Sequence, residues 1–323
     1  MPKLRAFVIG CGRIGSEFSR LAKLPGIHSH AEAYARHPRT ELVAVVDADA
    51  HKARAAGRLW SVPSATDPLQ AAREFEPDLV TLCTPDETHF PLARDLVKQG
   101  GLRALLVEKP LALKSSEAAE LVRLCRRHKV ALGVNYLRRF SPAFQQIRDE
   151  LRAGKHGKLV LARFTYGKGL VHNGSHALDL LRFWFGEPAS LRVTSTTRDP
   201  DGQRAYDAEL RYPWGGRAVL TCFPESVATV FEGDFLCEKS RWQFALGGAQ
   251  WRFFAKQSAM FKGYTNYVET PRRDHAKLFA SPLKDCLSNA VDNLVLHIER
   301  GDPLLCSGED GVAVLRQTEK LLA

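Results

Sequence analysis

The sequence predicts an α/β protein: an N-terminal doubly wound parallel sheet, then an α+β half with an open, mainly antiparallel sheet. Three observations carry this expectation. Short apolar runs alternate with amphipathic helical stretches over the first 135 residues, the rhythm of βαβ units. The first of those runs ends in Gly10-x-Gly12-x-x-Gly15 and passes straight into a helical stretch. From Leu191 to Phe254 the pattern changes to strand-like segments separated by Asp199-Pro-Asp-Gly202, Pro213-Trp-Gly-Gly216 and Gly247-Gly248, turn signals of a kind that join antiparallel strands.

Phe7, Val8 and Ile9 are apolar and β-prone, so the opening run reads as a buried strand. The glycines that follow suit a dinucleotide pyrophosphate. Gly10 allows the tight turn, Gly12 lets backbone approach the phosphates, and Gly15 lets the helix pack on the sheet, while Arg13 and Ile14 complete the turn. A helix over Ser16–Lys23 is broken by Pro25 and Gly26, and a short second helix follows. Glu41–Asp47 is a second strand ending in an acid. In this Rossmann-type arrangement Asp47 accepts from the adenosine ribose hydroxyls and repels a 2′-phosphate, which favours NAD. Lys52 and Arg54, close behind, leave NADP possible.

Helices are expected over Ala50–Leu59, Pro68–Phe75, Pro91–Gln99 and Ser115–His128. Between them, Leu79–Cys83 leads to Thr84-Pro85-Asp86-x-x-His89, Leu105–Val107 leads to Glu108-Lys109-Pro110, and Val130 leads to Asn135. Thr84, Pro85, Asp86, His89, Glu108, Lys109 and Asn135 therefore fall near the carboxyl ends of parallel strands, where such sheets bind cofactors. In the second half, helices are expected over Ala143–Arg152 and Gly174–Phe185, with a strand over Lys158–Tyr166. Six strands follow: Leu191–Thr196, Ala205–Tyr212, Ala218–Phe223, Val227–Glu232, Arg241–Leu246 and Gln250–Phe254. Residues 256–281 read as a basic loop, and Pro282–Arg300 and Gly308–Leu322 as closing helices.

With 323 residues the chain has room for two domains, placed at 1–135 and 136–323. No apolar run reaches the roughly 18–20 residues of a membrane span, and Met-Pro-Lys-Leu-Arg runs directly into the first strand, leaving no room for a signal peptide. Seven scattered cysteines, without metal-ligand spacing, suit reduced thiols in the cytoplasm and no metal. The net charge of +10 is split equally about residue 135 and forms no basic arm. That argues against nucleic acid and for small anionic ligands.

The succession of glycine fingerprint, Thr84-Pro85-x-x-x-His89, Glu108-Lys109-Pro110 and Gly133-Val-Asn-Tyr-Leu-Arg-Arg-Phe-Ser-Pro142 resembles the glucose–fructose oxidoreductase / inositol dehydrogenase (Gfo/Idh/MocA) family. Ile298-Glu-Arg-Gly-Asp-Pro303 and Ser307–Leu315 resemble the family's C-terminal stretch, whereas 187–284 carries no recognisable motif. The resemblance implies an NAD(P)-dependent oxidoreductase acting on a ring hydroxyl or ketone of a sugar, cyclitol or nucleotide-sugar. Hydride transfer needs a base for the hydroxyl proton. Lys109, at a strand end before a stiff proline, suits that role, and the family's Glu-Lys-Pro implies it. Glu108 would position Lys109 or the cofactor.

A lone His176 could be a plain helix residue, but the family's Asp-x-x-x-His pattern implies that it contacts the reacting oxygen. The family's Asp is His172 here, a donor in place of an anionic acceptor. That speaks against simple inositol or glucose oxidation and suits a carboxylate- or phosphate-bearing sugar. Asn173 shares that role, Asp179 orients His176 or meets substrate, Arg139 (beside Arg138) clamps an anion or pairs between domains, and Tyr166 and Lys168 are weaker contacts. Two rivals share the cofactor half: a non-catalytic sensor, and an oxidoreductase of dihydrodiols or imines. The exposed sheet would be costly uncovered, so a homodimer or homotetramer through the C-terminal sheet is expected, as the resemblance also implies.

Overall fold

Apolar runs build the first sheet. In the computed structural model, which describes residues 2–22, 26–198, 202, 204–259, 261–273 and 275–323, the strands here are β1 (Leu4–Ile9), β2 (Thr40–Val46), β3 (Ser64–Ala65), β4 (Leu79–Leu82), β5 (Ala104–Glu108) and β6 (Ala131–Asn135). They pair in the order β3-β2-β1-β4-β5-β6, all parallel among the described residues. Every residue of β4 is buried, which is why this strand reads as a continuous apolar run rather than an alternation. The order reverses between β1 and β4, creating the switch point at which such sheets bind ligands.

Local chemistry explains most helix boundaries. Asp49 accepts from the amides of His51 and Lys52 and starts helix Ala50–Trp60. Asp67 does the same for Pro68–Phe75 through Leu69 and Gln70. The helix expected from Pro91 begins earlier, at Asp86, with Pro91 inside it. Asp86 and Glu87 stabilise its first turn by facing the positive end of the helix dipole. The helix after the glycines opens as a π-turn over Arg13–Glu17 and continues over Phe18–Leu21. Lys23 and Pro25, expected to end it, lie outside the described residues. The short second helix is His30–Arg36.

Packing groups the residues up to Phe140 with Lys284–Leu315, and Ser141–Leu283 with Arg316–Ala323. The helix Cys286–Arg300, shorter than the expected Pro282–Arg300, thus packs with the first group.

The second unit holds β7 (Leu159–Tyr166), β8 (Ser190–Arg198), β9 (Arg204–Arg211), β10 (Arg217–Cys222), β11 (Phe231–Cys237), β12 (Ser240–Ala245), β13 (Gln250–Ser258) and β14 (Thr265–Glu269). Their order is β14-β13-β12-β11-β7-β10-β9-β8, with β7–β10 parallel and the other pairs antiparallel. Two expectations are corrected here. The strand placed at Val227–Glu232 starts at Phe231, because Val227 closes a turn onto the Pro224 carbonyl and the buried alternation runs through Phe231, Gly233, Phe235 and Cys237. The basic loop at 256–281 contains the end of β13, the edge strand β14 and helix Ala276–Ala280. An exposed edge needs no apolar alternation, so the sequence carried little strand signal there. Of the Asp199–Gly202 turn signal, Asp199, Pro200 and Asp201 lie outside the described residues.

One face of this sheet carries an aromatic core. Phe235 stacks on Trp242 with ring centroids 5.4 Å apart, and Trp184 meets Phe235 edge-on at 5.0 Å. The other face is paired charge: Arg241 grips Asp234 through two bonds of 2.8 Å, and Glu209 sits between Arg192 and Arg211.

Candidate active site

In the first unit the glycine turn is shaped by two of its three glycines. Gly10 has φ +96°, and a Cβ there would lie 2.5 Å from the Cys83 carbonyl. A Cβ on Gly15 would lie 1.9 Å from the Gly10 oxygen. Neither position admits a side chain. Gly12 differs: a Cβ there would meet nothing within 4 Å. No packing inside the protein demands this glycine, whereas a phosphate drawn close to the backbone does. The residues present therefore fit a dinucleotide. Asp47 follows β2 and is aimed at the same turn. Its Oδ2 accepts the Cys11 amide at 2.7 Å and its Oδ1 the Asp49 amide at 2.9 Å. Burial, with the Asp47 charge beside it, pushes the Cys11 thiol up to about 12, so Cys11 stays neutral.

The ends of β4 and β5 are cross-tied. His89 is fully buried, with Nδ1 2.7 Å from the Pro110 carbonyl and Nε2 2.9 Å from the Thr84 carbonyl. Both ring nitrogens are thus engaged by backbone, and His89 acts by holding the Thr84-Pro85 and Lys109-Pro110 segments rather than by reaching a ligand. Lys109 is half-buried and joined to Pro110 by a cis peptide. Beside it, Glu108 Oε1 accepts from Asn135 Nδ2 at 2.6 Å and lies 2.8 Å from His30 Nε2. Burial opposes the Glu108 charge, but the bonds from His30 and Asn135 and the Lys109 charge outweigh it and hold the carboxyl below its usual range. His30 has no sequence signal: it is 78 residues from Glu108, and only the sheet order brings them together. Arg139, read as either a substrate-anion clamp or a pairing residue, is buried with Nη1 3.0 Å from Asp310 Oδ1 and 3.2 Å from the Leu305 carbonyl.

In the second unit, Lys168 and Gly169 both adopt positive φ and lead into a π-turn over Leu170–Gly174, then helix Ser175–Phe185. A side chain on Gly174 would come within 3.0 Å of Tyr166 and Leu170. His172 is exposed, while Asn173 and His176 are half-exposed. The His172 carbonyl accepts from Ser175 Oγ at 2.7 Å, fixing the turn. The His176 ring lies edge-on to Phe231, centroids 6.1 Å apart. Asp179, one turn further along the helix, is buried. Tyr166 is fully buried and its hydroxyl donates to the Tyr206 carbonyl at 2.5 Å, so the phenol serves the sheet. Burial pushes its pKa up.

Among the described residues no group of three or more His, Cys, Asp or Glu side chains is placed to hold a metal ion, and no helix is long and apolar enough to cross a membrane.

Residues 4–136 match the family model of the Gfo/Idh/MocA oxidoreductases, described as an oxidoreductase family with an NAD-binding Rossmann fold. The chain is 30% identical to the rhizopine catabolism protein MocA of Rhizobium meliloti over 213 residues, 61% of this chain and 62% of that protein. It is 26% identical to inositol 2-dehydrogenase of Rhizobium meliloti over an alignment covering 97% of this chain and 94% of the relative. Among solved structures, the WlbA dehydrogenase of Bordetella pertussis, determined with NADH and UDP-GlcNAcA, superposes with a TM-score of 0.75 at 18% identity, covering 99% and 95% of the two chains. An oxidoreductase of Agrobacterium radiobacter, determined with NAD+, L-tartaric acid and magnesium, gives 0.77 at 16% identity, covering 99% and 95%. The glycine turn, Asp47 and the Glu108-Lys109-Pro110 corner all fall inside residues 4–136, the segment that is similar to the Gfo/Idh/MocA oxidoreductases with their NAD-binding Rossmann fold.

Proposed function

We propose that this protein is an NAD-dependent oxidoreductase that interconverts a ring hydroxyl and the matching ketone of a sugar, cyclitol or nucleotide-sugar. The observation that carries the reading is the Lys109 corner: a half-buried amine at the carboxyl end of β5, flanked by an anchored carboxylate and by a proline tied down through His89. The dinucleotide would rest on Gly10, Gly12, Arg13, Ile14 and Gly15, with Asp47 on the adenosine ribose and Thr84, Pro85, Glu108, Lys109 and Asn135 toward its other end. When bound, NAD supplies the acceptor for the hydride that leaves the alcohol carbon. Lys109 Nζ takes the hydroxyl proton in that direction and returns it in reduction. In the second unit His176 would hydrogen-bond substrate, and Asp179 would orient it. His172 and Asn173, at the opening of that helix, would favour a substrate bearing a carboxylate or phosphate. Self-association through the paired-charge face of the second sheet belongs to the same proposal.

The test is turnover of NAD and NADP with a panel of sugars, cyclitols, sugar acids and nucleotide-sugars. Reduction of NAD with one of them, lost in Lys109→Ala while NAD still binds, supports the reading. Tight NAD binding with no turnover on any of them would transfer support to a non-catalytic sensor.

A further inference from the structure

Beside the Lys109 corner stands a buried titratable residue that the proposed reaction does not use. His30 begins helix His30–Arg36 and is fully buried. Its Nε2 lies 2.8 Å from Glu108 Oε1, and Asn135 Nδ2 donates to the same oxygen at 2.6 Å while lying 3.3 Å from His30 Nε2. A carboxylate only accepts, so Nε2 carries the hydrogen. The far sides of both partners are unsatisfied: among the described residues neither His30 Nδ1 nor Asn135 Oδ1 has a hydrogen-bond partner, though both are buried. Polar groups serving only the packing of the core would be poorly chosen in this way. What the two share is one oxygen of Glu108, and Oε2 takes part in neither bond.

We propose that His30 is a positioning residue: together with Asn135 it holds the Glu108 carboxylate as the anion and in one orientation, and so fixes a negative charge beside Lys109. The inference rests on the reading of Lys109 as the acid/base. Glu108 is faced by His30 from its helix, by Asn135 from the end of β6, by Lys109 next in the chain and by Cys83 beyond β4. Burial, the Glu108 charge and Cys11 push the Cys83 thiol well up, so Cys83 stays uncharged. Burial alone would favour protonated Glu108; the His30 and Asn135 bonds reverse that preference.

The experiment is a pH titration of the Glu108 side-chain carboxyl by carbon-13 NMR in full-length protein with labelled glutamate, the signal assigned by its loss in Glu108→Gln. In the wild type it titrates below the ordinary range. His30→Leu removes the donor and raises the midpoint by about one to two pH units, the size of one charge-assisted hydrogen bond. His30→Gln keeps an N–H donor and restores most of the shift. Where a substrate is turned over, the acid limb of kcat/KM moves up by the same interval in His30→Leu. A residue that merely fills space would lower the melting temperature in both variants and leave the carboxyl midpoint unmoved, and that result overturns the proposal. If His30→Leu does not fold, Asn135→Ala is read in the same way: a raised midpoint supports the shared anchoring, an unmoved one refutes it. Absence of turnover would overturn the Lys109 reading alone, because the carboxyl titration needs no substrate.

Discussion

Lys109 is one of several lysines near the carboxyl edge of a strand or helix, and what separates it from the others is its neighbours. Glu108 is anchored by two bonds on its N-terminal side and Pro110 by His89 on its C-terminal side, so the backbone that carries the amine is held twice. A general base of this kind contributes about 10²–10⁴ to rate. Asp47 argues cofactor choice at the same scale. Its carboxylate is fixed by two backbone amides and would repel a 2′-phosphate, so Asp47→Ser should lower NAD affinity roughly tenfold and narrow the gap to NADP in equilibrium binding; an unchanged preference would remove Asp47 from the cofactor site. Gly15→Ala should abolish NAD binding and lower the melting temperature, because its methyl would sit on the Gly10 carbonyl. These residues were legible because each lies in a short motif at the end of an apolar strand run. His30 was not, since its meaning comes from a residue 78 positions away. Tyr166 shows the reverse: residue type suggested a ligand contact, and the structure places its hydroxyl against a backbone carbonyl, while for Arg139 the pairing alternative is the one seen, with Asp310.

At the scale of elements, Glu150 pins the helix Pro142–Arg152 to the rest of the second unit. It is buried, meets Arg272 through bonds of 2.7 and 2.9 Å, and takes further bonds from His156 at 2.9 Å and Gln146 at 3.0 Å. Burial opposes its charge, but Arg272, Gln146 and His156 outweigh it and hold the carboxyl at about 2. A folded value below the unfolded one means stability that is fully present above the unfolded pKa and lost as pH falls toward the folded one. Urea unfolding of the wild type should therefore weaken between about pH 5 and pH 2. Glu150→Gln should cost about 3 kcal/mol at neutral pH by leaving Arg272 uncompensated, and a loss under about 0.5 kcal/mol would contradict this account. Elements with a buried face were read closely from sequence: Pro68–Phe75 and Ser115–His128 fall on their predicted residues. Exposed edge elements such as β14 were not, because nothing in their pattern is selected by burial.

For the whole molecule, the parallel first sheet followed the apolar rhythm of its strands, and the mainly antiparallel second sheet followed its turn signals. The discontinuous packing of the C-terminal helices is invisible to such reasoning, which works along the chain. The outer face of the second sheet also differs in character from the costly surface anticipated: its charges are paired across strands, as in Arg241–Asp234 and Arg252–Glu269. Association through it should accordingly be polar and salt-sensitive. Light scattering should give a dimer or tetramer at low salt whose population falls with added salt, and a strict monomer at every concentration would end that proposal. The most direct test of the central claim compares wild type with Lys109→Ala for NAD binding and for turnover of whichever polyol the wild type oxidises. The account predicts NAD affinity within a few-fold of wild type and kcat lower by about 10²–10⁴. Unchanged kcat, with NAD bound as tightly, would contradict it.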